Sequence, residues 1–153
     1  WRMVLMKKLL YILTALLIVA TVAGCNKEKS PSSKSIDITG EWHCIPAEFD
    51  AEVYVAFLEG GMFDLYQRVG EGRYRHFTGT WWMDGKTLSG NYADNTPWGS
   101  DYNVTLNGTE SMTLTATNGS GEIMTYTKES IPTEVKAECV EVRSTTTDDL
   151  PLL

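Results

Sequence analysis

Hydrophobic and polar residues alternate along most of the chain from Ile38 onward, in short runs that are separated by turn residues. In the run from Met62 to Arg68, for example, Phe63 and Leu65 fall on one face and Asp64 falls on the other. A two-residue period of this kind predicts a β-strand with one face in solvent. Because almost no segment has the apolar period of a helix, the pattern predicts an all-β domain.

Eight of these runs are predicted as strands, and short turns such as Asp84-Gly85 and Asn107-Gly108 join most of them. Their predicted bounds are 40–45, 52–58, 62–68, 73–83, 86–92, 101–106, 111–117 and 122–128. An up-and-down order of this many strands leaves exposed edges unless the sheet closes on itself. The prediction is therefore an eight-stranded antiparallel up-and-down barrel over residues 38–130, with a two-sheet β-sandwich as the alternative.

The segment after the last strand does not continue the two-residue alternation of the strands. Pro132 precedes Thr133 to Glu138, and proline is tolerated in the first turn of a helix. Residues 131–142 are therefore predicted as a short helical or extended C-terminal segment. Residues 143–153, which include consecutive threonines and aspartates, are predicted as a disordered tail.

The first 24 residues have the features of a secretory signal peptide. Lys7 and Lys8 form a basic region, and Leu9 to Ala20 form an apolar region. A membrane-spanning helix is the alternative, but such a helix needs about 20 apolar residues. The apolar stretch ends short of that length and is followed by a polar segment, so residues 1–24 are predicted as a signal peptide.

The run Val22-Ala23-Gly24-Cys25 resembles the lipobox of bacterial lipoproteins. The resemblance implies that Cys25 is diacylated and that residues 25–37 are the lipidated cysteine and a flexible tether. Since two or more acyl chains hold a protein stably at a membrane, the membrane is an expected partner and the cell envelope the expected location. Asn26 stands where inner-membrane lipoproteins of enteric bacteria have an aspartate, so the analogy favours the outer membrane.

Removal of residues 1–24 would leave ten basic residues against twenty acidic ones. Nucleic acid is therefore not an expected partner, because binding to phosphates needs clusters of lysine and arginine. The remaining length suits one domain with a single modest core. With Cys25 assigned to lipid, Cys44 and Cys139 are left as a pair that could form a disulfide in an oxidising compartment, and two buried free thiols are the alternative.

Two tryptophan motifs carry a second resemblance. Gly40-Glu41-Trp42 resembles the G-x-W signature of lipocalins, whose tryptophan packs across the closed base of the barrel. Gly79-Thr80-Trp81, with the turn Asp84-Gly85 after it, resembles a hairpin of the small lipocalin-like lipoproteins of Bacteroidetes bacteria. The resemblance covers residues 38–130 and implies a lipocalin-like barrel with no agreed ligand.

A hollow barrel would hold a small apolar or amphipathic ligand against aromatic wall residues. The candidates for that lining are Trp42, Phe57, Tyr66, Phe77, Trp81, Tyr102 and Tyr126. Trp98, in a loop between Pro97 and Gly99, is expected either to contact a partner or to pack locally. Trp81 and Trp82 are adjacent on one strand and are therefore expected on opposite faces.

Residues with catalytic or metal-binding chemistry are few. His43 and His76 are the only histidines, and the chain has no C-x-x-C or H-x-x-x-H spacing, so no metal site and no cofactor are predicted. No nucleophile motif such as G-x-S-x-G occurs either. The sequence therefore favours a non-enzymatic lipoprotein that binds a small apolar ligand, and the alternative is a structural or interaction lipoprotein with a filled barrel that meets a protein or glycan.

Overall fold

The computed structural model describes residues 35–146 and 150–153. The predicted signal peptide, the predicted lipidation site Cys25 and most of the predicted tether lie outside the described residues. Within the described ranges, no helix combines the length and the apolar character needed to cross a bilayer.

Eight antiparallel strands form a closed barrel, which confirms the fold predicted from the alternation. Each strand pairs with the next along the chain, and β8 pairs with β1 at Trp42–Lys128 and His43–Thr127. This closing pair excludes the two-sheet sandwich. The strands are β1 (Gly40–Cys44), β2 (Ala51–Phe57), β3 (Met62–Val69), β4 (Arg75–Asp84), β5 (Thr87–Tyr92), β6 (Tyr102–Leu106), β7 (Ser111–Ala116) and β8 (Ile123–Lys128).

Two short elements follow the barrel. Helix α1 (Thr133–Glu138) has the bounds that the position of Pro132 predicts. Strand β9 (Val140–Glu141) pairs in parallel with the first residues of β4, where β5 does not reach. The sequence pattern does not predict β9, because two residues are too few to show a period.

The interior of the barrel is a continuous apolar core. Its side chains come from alternate positions of all eight strands, as the two-residue period requires. The largest fully buried members are Trp42, Tyr102, Tyr126, Phe57, Phe63, Phe77, Ile38, Leu65, Leu88, Met112, Leu114 and Val53.

Two glycines let the chain approach itself closely. A Cβ on Gly79 would collide with the carbonyl oxygen of Asn91 on the neighbouring strand, and a Cβ on Gly90 would collide with the ring of Trp98. The second glycine therefore opens the space in which the Trp98 loop folds back onto the barrel.

The end of the chain docks on the barrel. Leu153 is buried and belongs to the interior core. Its carbonyl oxygen accepts hydrogen bonds from the Tyr92 hydroxyl at 2.6 Å and from the Gly99 backbone N–H at 3.1 Å. Burial of an apolar side chain together with a satisfied backbone group fixes this segment in place.

Gln67 holds the same segment from inside the barrel. Its amide nitrogen donates to the carbonyl of Leu150, and its amide oxygen accepts from the N–H of Leu152, both at 2.8 Å. The prediction of a disordered tail is therefore wrong for residues 150–153, because the tail finds apolar and hydrogen-bonding partners that are distant in sequence.

Candidate functional site

Five of the seven predicted lining residues lie inside the barrel, where they pack against one another. These are Trp42, Phe57, Phe77, Tyr102 and Tyr126, none of which is more than 2% exposed. Trp81 is partly buried at one end, where its ring meets Phe57 edge-on and its Nε1 donates to the carbonyl of Met62 at 2.8 Å. The interior space at these positions is therefore occupied by the protein's own side chains.

The seventh residue, Tyr66, is not a lining residue. It lies on the outer face of the barrel with Tyr54 and Ala56, where Ile131 and Val135 cover it. The physical reason is the pleat of β3: Phe63, Leu65 and Gln67 point inward, so Tyr66 must point outward. The prediction that Tyr66 lines the barrel interior is therefore wrong.

Trp98 packs locally and is not a surface contact. It is 5% exposed, its ring lies 5.2 Å from that of Phe63, and its edge covers Gly90. Among the tryptophans within residues 35–146, the exposed one is Trp82, at 47%, on the face of β4 opposite to the partly buried Trp81.

The two cysteines of the barrel are free thiols. Cys44 lies in the interior core, where burial raises its pKa to about 11, and Cys139 lies on the outside near Tyr66. The wall of the barrel separates them, so the disulfide that their even number allowed is not formed.

Four aromatic side chains form a row across the outer face of the barrel, which we call the His–Tyr row. His43 of β1, Tyr54 of β2, Tyr66 of β3 and His76 of β4 are paired in register from strand to strand. His43 stacks on Tyr54, and His76 stacks on Tyr66, each with ring centroids 4.3 Å apart. A histidine therefore closes each end of the row.

Carboxylates hold both ring nitrogens of His43. Its Nδ1 lies 2.9 Å from an oxygen of Glu129, and its Nε2 lies 3.0 Å from an oxygen of Glu52. Glu52 also accepts hydrogen bonds from the Tyr74 hydroxyl at 2.6 Å and from the Arg68 guanidinium at 2.7 Å. This network fixes the ring plane of His43 and gives the Glu52 carboxylate several hydrogen-bond donors.

His76 has the same arrangement and one additional neighbour. Its Nε2 lies 2.7 Å from Asp64, and its Nδ1 lies 2.7 Å from Glu141 of β9. Burial alone would lower the pKa of His76, but the two carboxylates outweigh it and raise that pKa. The additional neighbour is Cys139, whose sulfur lies 3.9 Å from the same oxygen of Glu141.

The tyrosines of the row act as platforms and not as acids. Burial, together with nearby carboxylates, raises the pKa of Tyr54 and of Tyr66 to about 12. Both hydroxyls therefore stay protonated at neutral pH. The chemistry available on this face belongs to the imidazoles, the carboxylates and the thiol of Cys139.

The donor atoms of His76, Cys139 and Glu141 lie within 4.8 Å of one another, a spacing that could hold a metal ion. The sequence predicted no metal site because 65 residues separate His76 from Glu141. The one local signal is Cys139-Val140-Glu141, which places a thiol and a carboxylate on the same side of an extended chain. Only the pairing of β9 with β4 brings His76 to that side.

Comparison of the chain with protein-family models, with curated proteins and with solved structures finds no match.

Proposed function

We propose that this chain is a lipid-anchored, non-enzymatic interaction protein of the bacterial cell envelope, whose barrel binds through its outer surface. The observation that carries the proposal is the filled interior, in which the predicted ligand wall is packed as core and Leu153 joins the same cluster. A small eight-stranded barrel either fills with side chains or holds one small ligand, and the packing favours the first. The lipobox resemblance of Cys25 supplies the anchor in this proposal.

Both ends of the barrel expose apolar side chains, and one of them also carries the start of the described chain, which makes that end the candidate for membrane contact. Leu58, Met62 and Trp82 are each more than 40% exposed there. Leu58 lies in the turn between β2 and β3, and Met62 is the first residue of β3. The pairing of Met62 with Thr80 places Trp82 two residues farther along the same outer face of β4. We call these three residues the apolar end.

The described chain also begins at the apolar end. Ser35 and Ile36 line a surface groove together with Gly60 and Trp82. Nine residues lie between Cys25 and Ser35, and the ten steps from the first Cα to the last span at most about 36 Å when the chain is fully extended. A lipid on Cys25 would therefore keep the apolar end within about that distance of the bilayer, and tryptophan is favoured at the boundary between headgroups and acyl chains.

The contact between the apolar end and the membrane is expected to be apolar and not electrostatic. Asp37 and Glu59 line the same groove and carry charge of the sign that anionic lipids repel. We therefore expect the apolar end to approach zwitterionic phospholipid, with the His–Tyr row left free for other contacts.

The anchor is tested by labelling the full chain with radioactive palmitate in a lipoprotein-processing bacterium. We expect label and membrane fractionation for the parent chain and loss of both for Cys25→Ala. Cys139→Ala is the matched control, and it should keep the label. Incorporation of palmitate into Cys25→Ala would refute the proposed anchor.

The orientation is tested with the acylated protein in vesicles of phosphatidylcholine, part of which carries brominated acyl chains that quench tryptophan on contact. We expect bromolipid quenching that does not depend on salt and that falls in Trp82→Phe. Trp98→Phe, which alters a buried tryptophan, is the control and should leave the quenching unchanged. Equal quenching in Trp82→Phe and the parent would refute the membrane contact of the apolar end.

A second candidate function is the binding of a small apolar molecule outside the barrel interior. A groove of about 290 Å³ lies beside the docked chain end, with Tyr92, Pro97, Leu150 and Leu153 among its walls. That volume is at the lower limit of small-molecule sites.

The groove is tested by thermal unfolding with a panel of fatty acids, sterols and bile-type compounds. A ligand of the groove should raise the melting temperature of the parent. It should lose that effect in Thr146→Trp, which fills the groove, and keep it in Thr105→Trp, an exposed site on β6. No stabilisation by any compound, or stabilisation that survives Thr146→Trp, would exclude this second candidate.

A further inference from the structure

We propose that His76, Cys139 and Glu141 form a binding site for a divalent zinc ion on the outer face of the barrel. The three donors are an imidazole nitrogen, a thiol sulfur and a carboxylate oxygen, all within 4.8 Å of one another. Sulfur, nitrogen and oxygen donors in this combination suit Zn²⁺, whereas Mg²⁺ and Ca²⁺ prefer oxygen ligands.

The topology explains why these donors converge. Cys139 follows the last residue of α1 and has extended backbone angles, so it and Glu141 project to the same side of the extended chain. The backbone N–H groups of Val140 and Val142 donate to the carbonyls of Tyr74 and His76 at 2.7 and 2.9 Å. Two backbone hydrogen bonds therefore hold the Cys139–Glu141 segment beside His76 whether or not an ion is bound.

The three donor atoms lie within 4.8 Å of one another and would have to move relative to one another to hold the ion. Tetrahedral zinc with ordinary bond lengths places nitrogen, oxygen and sulfur ligands about 3.3–3.6 Å apart. The Nδ1 of His76 and the oxygen of Glu141 would separate from 2.7 Å, and the sulfur of Cys139 would approach that oxygen from 3.9 Å. The Glu141 side chain is 62% exposed, so it can make this movement and leaves the fourth position to water.

A second layer of contacts orients the histidine for this role. Asp64 lies 2.7 Å from Nε2 and accepts a hydrogen bond there, so the other nitrogen, Nδ1, would offer its lone pair to the ion once it releases its own proton. Tyr66 lies parallel to the imidazole, with an angle of 3° between the rings, and fixes its plane. A carboxylate on the distal nitrogen is the usual partner of a zinc-bound histidine.

His43, at the other end of the His–Tyr row, provides an internal comparison. It also lies between two carboxylates and also stacks on a tyrosine, with 13° between the rings. Among the described residues, however, the cluster of three donor atoms close enough to hold a metal ion contains His76 and does not contain His43. The two ends of the row therefore differ by the thiol of Cys139, which makes His43 a matched control.

Binding must release protons, because the ligands are the thiolate and the unprotonated imidazole nitrogen. The sulfur–hydrogen bond of Cys139 and the nitrogen–hydrogen bond at Nδ1 of His76 break, sulfur–zinc and nitrogen–zinc bonds form, and the protons go to solvent; no electron is transferred. Zinc affinity should therefore increase with pH.

The test is titration of Zn²⁺ into the full chain in detergent, in a Cys25→Ala background and with no histidine tag, by calorimetry and by competition with a chelator. We expect one ion per chain. Asp64→Asn should weaken binding by about 10- to 100-fold, and Cys139→Ala and His76→Gln should weaken it at least as much. His43→Gln should leave the affinity unchanged.

Co²⁺ gives an independent readout. Ligation through sulfur should produce a thiolate-to-cobalt charge-transfer band in the near ultraviolet, present in the parent and in His43→Gln and absent in Cys139→Ala. Cys139→Ser serves as a second variant, and circular dichroism without metal confirms that each variant is folded. Absence of the band in the parent, or zinc affinity that is unchanged in Cys139→Ala or equally reduced in His43→Gln, would overturn the proposal.

Discussion

The ammonium of Lys128 lies 5.4 Å from the ring centroid of Trp42. These residues are also partners in the register that closes the barrel between β8 and β1. Trp42 is buried in the interior, and its Nε1 donates to the carbonyl of Ile38 at 2.9 Å. This hydrogen bond fixes the ring that the cation covers. Lys128 thus covers the ring of Trp42 at the seam where the last strand of the barrel meets the first.

Lys128→Met should destabilise the barrel by about 0.5–1 kcal/mol, because it removes a cation–π contact at an exposed site. The measurement is urea unfolding of the full chain. Lys86→Met is the matched control, since Lys86 lies in an exposed turn, and it should change the free energy of unfolding by less. Equal effects of the two substitutions would contradict the role given to Lys128.

Trp98→Ala should cost about 3–5 kcal/mol of stability, as expected for truncation of a large buried aromatic residue. The ring fills the space above Gly90 and meets Phe63 and Tyr102 edge-on or tilted. Trp82→Ala, at an exposed site, should change stability by no more than about 0.5 kcal/mol. Chemical denaturation of both variants distinguishes them, and a small effect of Trp98→Ala would mean that the loop is not part of the core.

Gln67→Leu should release the docked chain end. The substitution leaves the carbonyl of Leu150 and the N–H of Leu152 without their partner, which costs about 1–3 kcal/mol when such groups stay buried. Hydrogen exchange should show faster exchange of the Leu152 amide in this variant, while amides of the His–Tyr row keep their protection. Unchanged exchange at Leu152 would show that the apolar contacts of Leu153 alone hold the segment.

The stability of the protein should fall in acid, in part through Glu52. Burial alone would raise the pKa of Glu52, but hydrogen bonds from Tyr74 and His43 and the charge of Arg68 lower it below its ordinary value of 4.5. The folded state therefore gains stability that is fully present above pH 4.5 and is lost as the pH falls through the lower folded-state pKa.

Glu52→Gln should make the free energy of unfolding depend less steeply on pH below 4.5. It should lower stability at neutral pH by about 1–3 kcal/mol, because Arg68 loses its counter-charge and an NH2 group that cannot accept hydrogen bonds replaces one carboxylate oxygen. Urea unfolding at a series of pH values measures both effects. Glu71→Gln, in an exposed loop, is the control. A pH profile that is the same for Glu52→Gln and the parent would contradict the assignment.

Much of the fold follows from local sequence patterns. The two-residue alternation placed Phe63 and Leu65 inside and Asp64 outside, and the Asp84-Gly85 turn joined β4 to β5. Pro132 marked the start of α1. These features depend on neighbours within a few residues, so the order of residues alone is sufficient to predict them.

The placement of the candidate site depended on contacts between distant segments. His76 meets Glu141 because two residues of β9 pair with the free edge of β4, and Trp98 is buried because Gly90 leaves room for it. Nothing in the local pattern distinguishes a loop tryptophan that packs from one that is exposed.

The sequence by itself determined the eight strands of the barrel, their inward and outward faces and the excess of acidic residues, because alternation and composition are properties of the chain alone. Tertiary structure decided that the barrel is filled, that Leu153 joins its core and that Cys139 stands beside His76 and apart from Cys44. The physical reason is that packing and donor convergence depend on distances in space between residues far apart in sequence, and only closure of the barrel and docking of the C-terminal segments set those distances.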